Sequence, residues 1–319
     1  MSDRKINITV LMTVFNDEKY VGQSVKSILN QTYSDFEFLI IDDGSEDDSG
    51  KIINSIKDQR IIYKKIKHSG LAAALNFGMK NAKGDWIARA DADDLSVNRR
   101  LQIQNDYLIK HPQTDVLGSH SVYFADPGKI LFQLNPPSGD KKIKEFMDLH
   151  NPINHSSVIF RKEKILKVGG YDEKFGVYED FELWLRMKNK LSFNIIPESL
   201  VYTRLRMDSM TSKGSRSKIY DTLVNNIRGR SSAFGKNPGD KTLAEKLFWI
   251  EYFYGDKNRA RNYYSNAKDF RQILAFYNTY LPEKYFNKIT GMRLRQRIES
   301  FKMNRKDFKK ELNILQNLK

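Results

Sequence analysis

Three carboxylates, Asp91, Asp93 and Asp94, close the run Ile87-Ala88-Arg89-Ala90-Asp91-Ala92-Asp93-Asp94. The short apolar stretch before them reads as a strand, which places the acids at its carboxyl end. Like charges crowded there repel, and no helical spacing separates them. A bound cation relieves the repulsion, and magnesium-like ions are commonly held by one or two carboxylates together with substrate phosphates. Taken alone, the acids fit a solvated acidic loop equally well. A second group, Asp42-Asp43-Gly44-Ser45, closes an earlier apolar run, where an ordinary Asp-Gly turn is the competing reading. Polar residues between Thr13 and Asn16 close a third run.

These groups need a scaffold that brings them to one place. Runs rich in β-formers at 7–14, 36–42, 60–66, 85–90, 115–123 and 155–161 alternate with helical periodicity. Within 17–31, Val21, Val25, Ile28 and Leu29 recur at helical spacing, with Asp17 as the expected N-cap and Glu18 complementing the helix dipole. Segments 71–82 and 99–110 read as further helices. The order predicts an α/β fold: a largely parallel sheet flanked by helices and joined by right-handed crossovers. Ligands of such sheets bind beyond the carboxyl ends of the strands, where all three polar groups stand.

Composition narrows the chemistry further. The 319 residues suffice for one large domain or for a medium domain with an appendage, and 40% hydrophobic residues argue against wholesale disorder. With no cysteine, thiol nucleophiles, disulfides and Cys-based zinc or iron–sulfur sites are excluded, and a reducing compartment is suited. The apolar stretch near the N-terminus is too short to span a bilayer, and no small-residue cleavage site follows it. A cytoplasmic location is therefore expected. The chain has no P-loop, no G-x-G-x-x-G after the first strand and no H-E-x-x-H, which leaves kinase, dehydrogenase and metalloprotease readings without support.

Several separately placed motifs share one order. Thr9-Val10-Leu11-Met12-Thr13-Val14-Phe15-Asn16 precedes Val21-Gly22-Gln23-Ser24-Val25-Lys26-Ser27-Ile28-Leu29-Asn30-Gln31-Thr32, then Phe36 to Ser45, then the acidic triad. This arrangement closely resembles the family 2 glycosyltransferases with the GT-A nucleotide-sugar fold, over roughly residues 6–211. The resemblance implies that Thr13, Asn16 and Asp43 hold the nucleobase with Asp42 beside them, and that a carboxylate accepts from a ring N–H. It implies that Asp91 touches the ribose and Asp93 binds Mn2+ or Mg2+, with Asp91 beside it and Asp94 in the same group. Gly70, at a helix start, is expected near phosphate. His155, in Asn154-His155-Ser156-Ser157, is expected near the donor diphosphate and the acceptor. In Tyr178-Glu179-Asp180-Phe181, Asp180 matches the base that deprotonates an acceptor hydroxyl, whereas helix-dipole stabilisation alone would also place an acid there. Many relatives carry an Arg-x-His-x-x-Ser element that this chain replaces with Arg204-Leu205-Arg206. Because a guanidinium has no free lone pair for a cation, either the metal has fewer protein ligands or Arg206 neutralises the diphosphate directly. The expected partners are a nucleotide-sugar donor, best read as a UDP-sugar, and a saccharide or lipid-linked acceptor. The runner-up enzyme, a sugar nucleotidyltransferase, would need a Gly-rich, basic N-terminal loop in place of Met12 to Asn16.

The last third of the chain has a different texture. Residues 1–210 carry 30 Lys and Arg against 29 Asp and Glu, whereas 211–319 carry 24 against 10. A catalytic domain over 1–211, a linker over 212–240 and a basic, aromatic-rich helical region over 241–319 are expected. Arg293, Arg295, Arg297, Lys302, Arg305, Lys306, Lys309 and Lys310 interleave with Leu294, Ile298, Phe301, Met303 and Phe308, a basic amphipathic pattern. Near an anionic bilayer each such cation contributes about 1 kcal/mol. A nucleic-acid partner is the non-enzymatic alternative, opposed by the acidic clusters of the first half, and none is expected. Packing of the apolar positions on the catalytic domain is the competing reading of the tail. The full chain should therefore cosediment with anionic vesicles in a salt-sensitive way, and a chain ending near Ser212 should not. Equal behaviour of the two would leave the tail as packing or partner surface.

Overall fold

The computed structural model describes residues 7–125, 129–148, 150–175 and 178–206, together with 248, 252, 260 and 261. Strand β1 (Ile8–Val14) is buried along its whole length because its alternate side chains enter two different apolar clusters. Leu11 points to one face of the sheet, and Ile8, Val10, Met12 and Val14 point to the other. Strand β2 (Phe36–Asp42) divides in the same way, Leu39 and Ile41 against Phe38 and Ile40. Such doubly buried strands need helices on both sides. Helices α1 (Val21–Leu29), α2 (Ser49–Ser55) and α4 (Arg100–Lys110) supply Val21, Val25, Ile28, Ile53, Leu101 and Leu108 to one cluster. Helices α3 (Leu71–Asn81) and α7 (Glu179–Met187) feed the other, in which Trp184 packs edge-on against Phe160 and Phe193.

The remaining elements, in chain order, are β3 (Ile61–Lys65), β4 (Trp86–Asp91), β5 (Leu95–Ser96), β6 (Val116–Ala125), β7 (Lys129–Leu134), α5 (Asp140–Phe146), β8 (Ile159–Arg161), α6 (Lys162–Leu166) and β9 (Phe193–Arg204). The sheet runs β3-β2-β1-β4-β8-β6-β9-β5, with β7 paired to β6. The expectation of parallel pairing holds from β3 to β4. Beyond β4 the sheet is mixed, because the three-residue β8 runs antiparallel to both β4 and β6. A parallel neighbour needs a crossover connection, whereas β8 is reached through the 3-10 turn His155–Ser157. The reversal matters to the site. It brings the start of β8 to the edge where β1, β2, β4, β6 and β9 end.

Asp17 is not the cap of α1. Its main-chain carbonyl accepts the N–H groups of Tyr20 and Val21, while its carboxylate is engaged elsewhere. The expected linker and most of the basic helical region lie outside the described residues. Phe248 and Tyr252 within that region are helical and buried, their rings 5.9 Å apart. No helix among the described residues is long and apolar enough to cross a membrane.

Gly84 lets β4 come in beside β1. A Cβ there would lie 2.4 Å from the Thr9 nitrogen and 2.7 Å from the Ile8 carbonyl carbon, backbone atoms that cannot swing aside. Gly84→Ala should therefore cost about 1–3 kcal/mol, read as a lower urea midpoint with an unchanged slope.

Candidate functional site

The active edge is built on two buried arginines. Arg89, in the middle of β4, is 1% exposed, and its Nη1 lies 2.5 Å from Asp91 Oδ1 at the strand's end. Its Nη2 reaches the Thr13 hydroxyl at 3.5 Å. Arg100, at the start of α4, donates to the carbonyls of Arg89 (2.8 Å) and Val158 (3.3 Å) and to the Ser96 hydroxyl. A buried cation with unfilled donors is costly, so both arginines fix the groups around them. Asp94 closes the same edge. Its carboxylate accepts from the Ser156 hydroxyl and, at 2.8 Å, from the Arg204 N–H. It thereby ties the end of β4 to the turn before β8 and to the end of β9. Burial, followed by the charges of Asp93 and Asp91, pushes Asp94 well above the usual carboxylate range.

On the β1–β2 side, Asp42 and Asp43 have separate duties. Asp42 is fully buried; it accepts from the Tyr63 hydroxyl and from the Ser45 N–H at 2.7 Å, so it shapes the turn and does not face the cleft. Asp43 accepts from the N–H groups of Ser69 (2.8 Å) and Gly70 (2.9 Å), and His68 Nδ1 lies 2.9 Å from its carboxylate. Gly70 has φ 94°, a conformation that favours glycine, and its amide is committed to Asp43. The exposed Phe15 ring stacks on His68 at 4.1 Å, a flat aromatic face beside Asp43. Asn16 holds φ 53° and accepts from the Glu46 N–H at 2.8 Å, bracing the two loops against each other.

Asp93 stands at the mouth of this edge. Burial and the neighbouring Asp91 push it up to about 7, against the pull of Arg206. Arg206 bridges two acids: Nη1 is 2.6 Å from Asp17 Oδ1 and Nε is 3.1 Å from Asp93 Oδ2.

A second group of buried acids lies within electrostatic reach of Arg89. Asp180, in the first turn of α7, accepts from the Asn151 amide at 2.7 Å and from the Phe181 N–H at 2.7 Å. Burial raises it to about 6, and Arg89 and Asp91 lie within electrostatic reach. Glu179 is raised to about 8 by burial and by Asp180. His155 is 11% exposed at its side chain, 2.9 Å from the Tyr171 hydroxyl and 3.5 Å from Glu179. Burial, then Arg89, pushes its imidazole well below the ordinary value, which keeps it neutral.

Thus Thr13, Asn16, Asp43, Gly70, Asp91, Asp93, Asp180 and Arg206 gather around one edge. Asp42, Asp94 and His155, expected at the ligand, are held by partners within the protein, and so is Asp43, which is 3% exposed. The site also takes in Asp17, which the sequence marks as a helix cap, and Phe15, Arg89, Asn151 and Tyr171, to which it assigns no role. An arginine inside an apolar strand was the one legible signal among them, because a charge there demands buried partners. The donor set suits a hard divalent cation only in part. No cluster of three or more His, Cys, Asp or Glu among the described residues is arranged to hold a metal ion. Asp91 and Asp93 nevertheless provide the one or two carboxylates that such an ion takes when phosphate oxygens complete its shell.

Comparison with known proteins follows this geometry. The profile described as glycosyl transferase family 2 matches residues 9–169. An uncharacterised glycosyltransferase of Methanocaldococcus jannaschii is 34% identical over 255 residues, covering 77% of this chain and 85% of its own. The UDP-Gal:alpha-D-GlcNAc-diphosphoundecaprenol beta-1,3-galactosyltransferase of Escherichia coli is 30% identical over 224 residues, covering 67% and 80%. The crystal structure of residues 1–349 of S. aureus TarS with UDP-GlcNAc superposes with a TM-score of 0.61 at 17% identity, over 86% of this chain and 79% of that one. The likeness extends to the mixed sheet with its flanking helices.

The buried acids set a pH dependence of stability. Burial pushes Glu179 up to about 8 from an ordinary 4.5, so the folded state holds the extra proton and loses that advantage as pH rises. His155 and His120, both depressed, act in the opposite sense but only below their ordinary 6.5. Asp93, pushed up to about 7, and Asp94, held well above its ordinary value, add to the same loss. The urea midpoint should therefore fall as pH rises from about 6.5 to 8, and Glu179→Gln should flatten part of that fall.

Proposed function

The chain belongs to glycosyl transferase family 2 and is a glycosyltransferase, and from that premise we propose an inverting transfer from a UDP-sugar to an acceptor hydroxyl. The observation that carries this reading is the placement of Asp180. It lies within electrostatic reach of Arg89 and Asp91, is raised to about 6, and accepts from the Asn151 amide. A carboxylate of that basicity is largely ionised at neutral pH and remains a competent proton acceptor.

In this reading Asp43, Thr13 and Asn16 line the nucleobase pocket, and the Phe15 face offers a surface for stacking. Asp91 lies toward the ribose. Asp180 takes the acceptor hydroxyl's proton while that oxygen attacks the anomeric carbon from the side opposite the diphosphate. The new C–O bond forms as the bond to the phosphate oxygen breaks, and the configuration inverts. Asp93, with Asp91, would hold Mn2+ or Mg2+, which supplies Lewis-acid neutralisation of the departing diphosphate. Arg206 adds a positive charge at the same rim.

A lipid-linked or saccharide acceptor is supported by the 30%-identical relative, whose name gives a diphosphoundecaprenol-linked sugar as acceptor. Surface polysaccharide or glycolipid synthesis at the inner face of the cell membrane, with the basic tail as a peripheral contact, is consistent with such an acceptor.

Asp180→Asn should lower transfer by at least about a hundredfold and leave UDP affinity nearly unchanged by calorimetry. Loss of UDP binding in that variant would make Asp180 a structural or donor-site residue instead.

A further inference from the structure

We infer that Arg206 is a tethered counter-cation that occupies Asp93 in the donor-free enzyme, so that a divalent ion gains Asp93 only when the donor's diphosphate draws Arg206 away. The inference rests on the reading of Asp93 as a cation ligand and adds what controls its access. The guanidinium bridges Asp17 and Asp93 at 2.6 and 3.1 Å.

The chain holds it there by anchoring the residue two positions earlier. Arg204 donates its main-chain N–H to Asp94 and its Nε to the Asp93 carbonyl at 3.0 Å. Its guanidinium also sits between the Tyr20 and Phe124 rings, at 4.5 and 4.6 Å. The end of β9 is therefore fixed to the acidic turn itself, and Arg206 starts from a fixed point beside it.

Among the described residues, Arg89 pairs with Asp91 and Arg206 with Asp93, and the two differ in exposure. Arg89 is sealed beneath Asp91 at 1% exposure, whereas the Arg206 side chain is 21% exposed at the rim. A guanidinium donates and cannot share a metal ion with a carboxylate, so arginine and cation compete for Asp93. A diphosphate offers Arg206 the planar, charge-assisted partner it otherwise finds in the acids. Donor and cation then bind with positive, reciprocal coupling, and neither partner alone does what the pair does.

The test is Mn2+ binding to the full chain, followed by calorimetry with and without UDP. Wild type should bind Mn2+ weakly alone and more tightly with UDP. Arg206→Gln and Arg206→Met should each bind Mn2+ alone about ten- to a hundredfold more tightly than wild type, and the further gain from UDP should shrink. If UDP strengthens Mn2+ binding in wild type but both variants bind Mn2+ alone no better than wild type does, Arg206 is not the competitor and the inference is overturned. If no chain binds Mn2+ even with UDP, the cation reading of Asp93 fails, and this inference falls with it.

Discussion

One buried guanidinium organises the active edge. Arg89 has almost no contact with solvent, so the position and charge of the groups around it are constrained by the cost of leaving it unpaired. It pairs with Asp91 at the end of β4 and acts electrostatically on Glu179, Asp180 and His155. Its own carbonyl is held by Arg100, which also grips Val158 ahead of β8. The two halves of the site therefore share a foundation. Displacing either arginine would disturb Asp91 and the buried acids of α7 together.

The same side chain performs four different tasks here because its surroundings differ. Asp42 and Asp94 are latches: buried, saturated with donors and facing inward. Asp43 holds the loop at Ser69 and Gly70 in place beneath an aromatic face. Asp93 is partly buried near Asp91 and answered by an arginine at the rim. Asp180 is buried deeply enough to become a moderate base and is aimed by an amide. Residue type sets what a carboxylate is able to do, and desolvation with partner geometry selects which of those things it does.

The topology explains how these acids meet. Strands β1, β2 and β4 deliver Thr13, Asp42, Asp43 and Asp91 at their carboxyl ends, as a parallel sheet does. The reversed β8 then adds its beginning to that edge, so Ser156 and His155 arrive beside residues far away in sequence. Strand β9, parallel to β6, ends on the same side and carries Arg204 and Arg206 to the acids.

The sequence by itself determined the strand–helix alternation, the face on which ligands bind and which acidic clusters stand there. Each of these follows from local periodicity and from the rule that polar residues ending buried strands must meet solvent or ligand. It also marked Arg206 as a cation where many relatives have an imidazole. Only the tertiary structure decided that Asp42, Asp94 and His155 face inward, that Asp17 pairs with Arg206 and does not cap α1, and that Asn151 aims Asp180. Those outcomes depend on contacts between residues as far apart as Asp17 and Arg206 or Asp94 and Arg204. The physical reason is that burial and hydrogen-bond partners are properties of the packed chain. No window of neighbouring residues contains both members of such a pair.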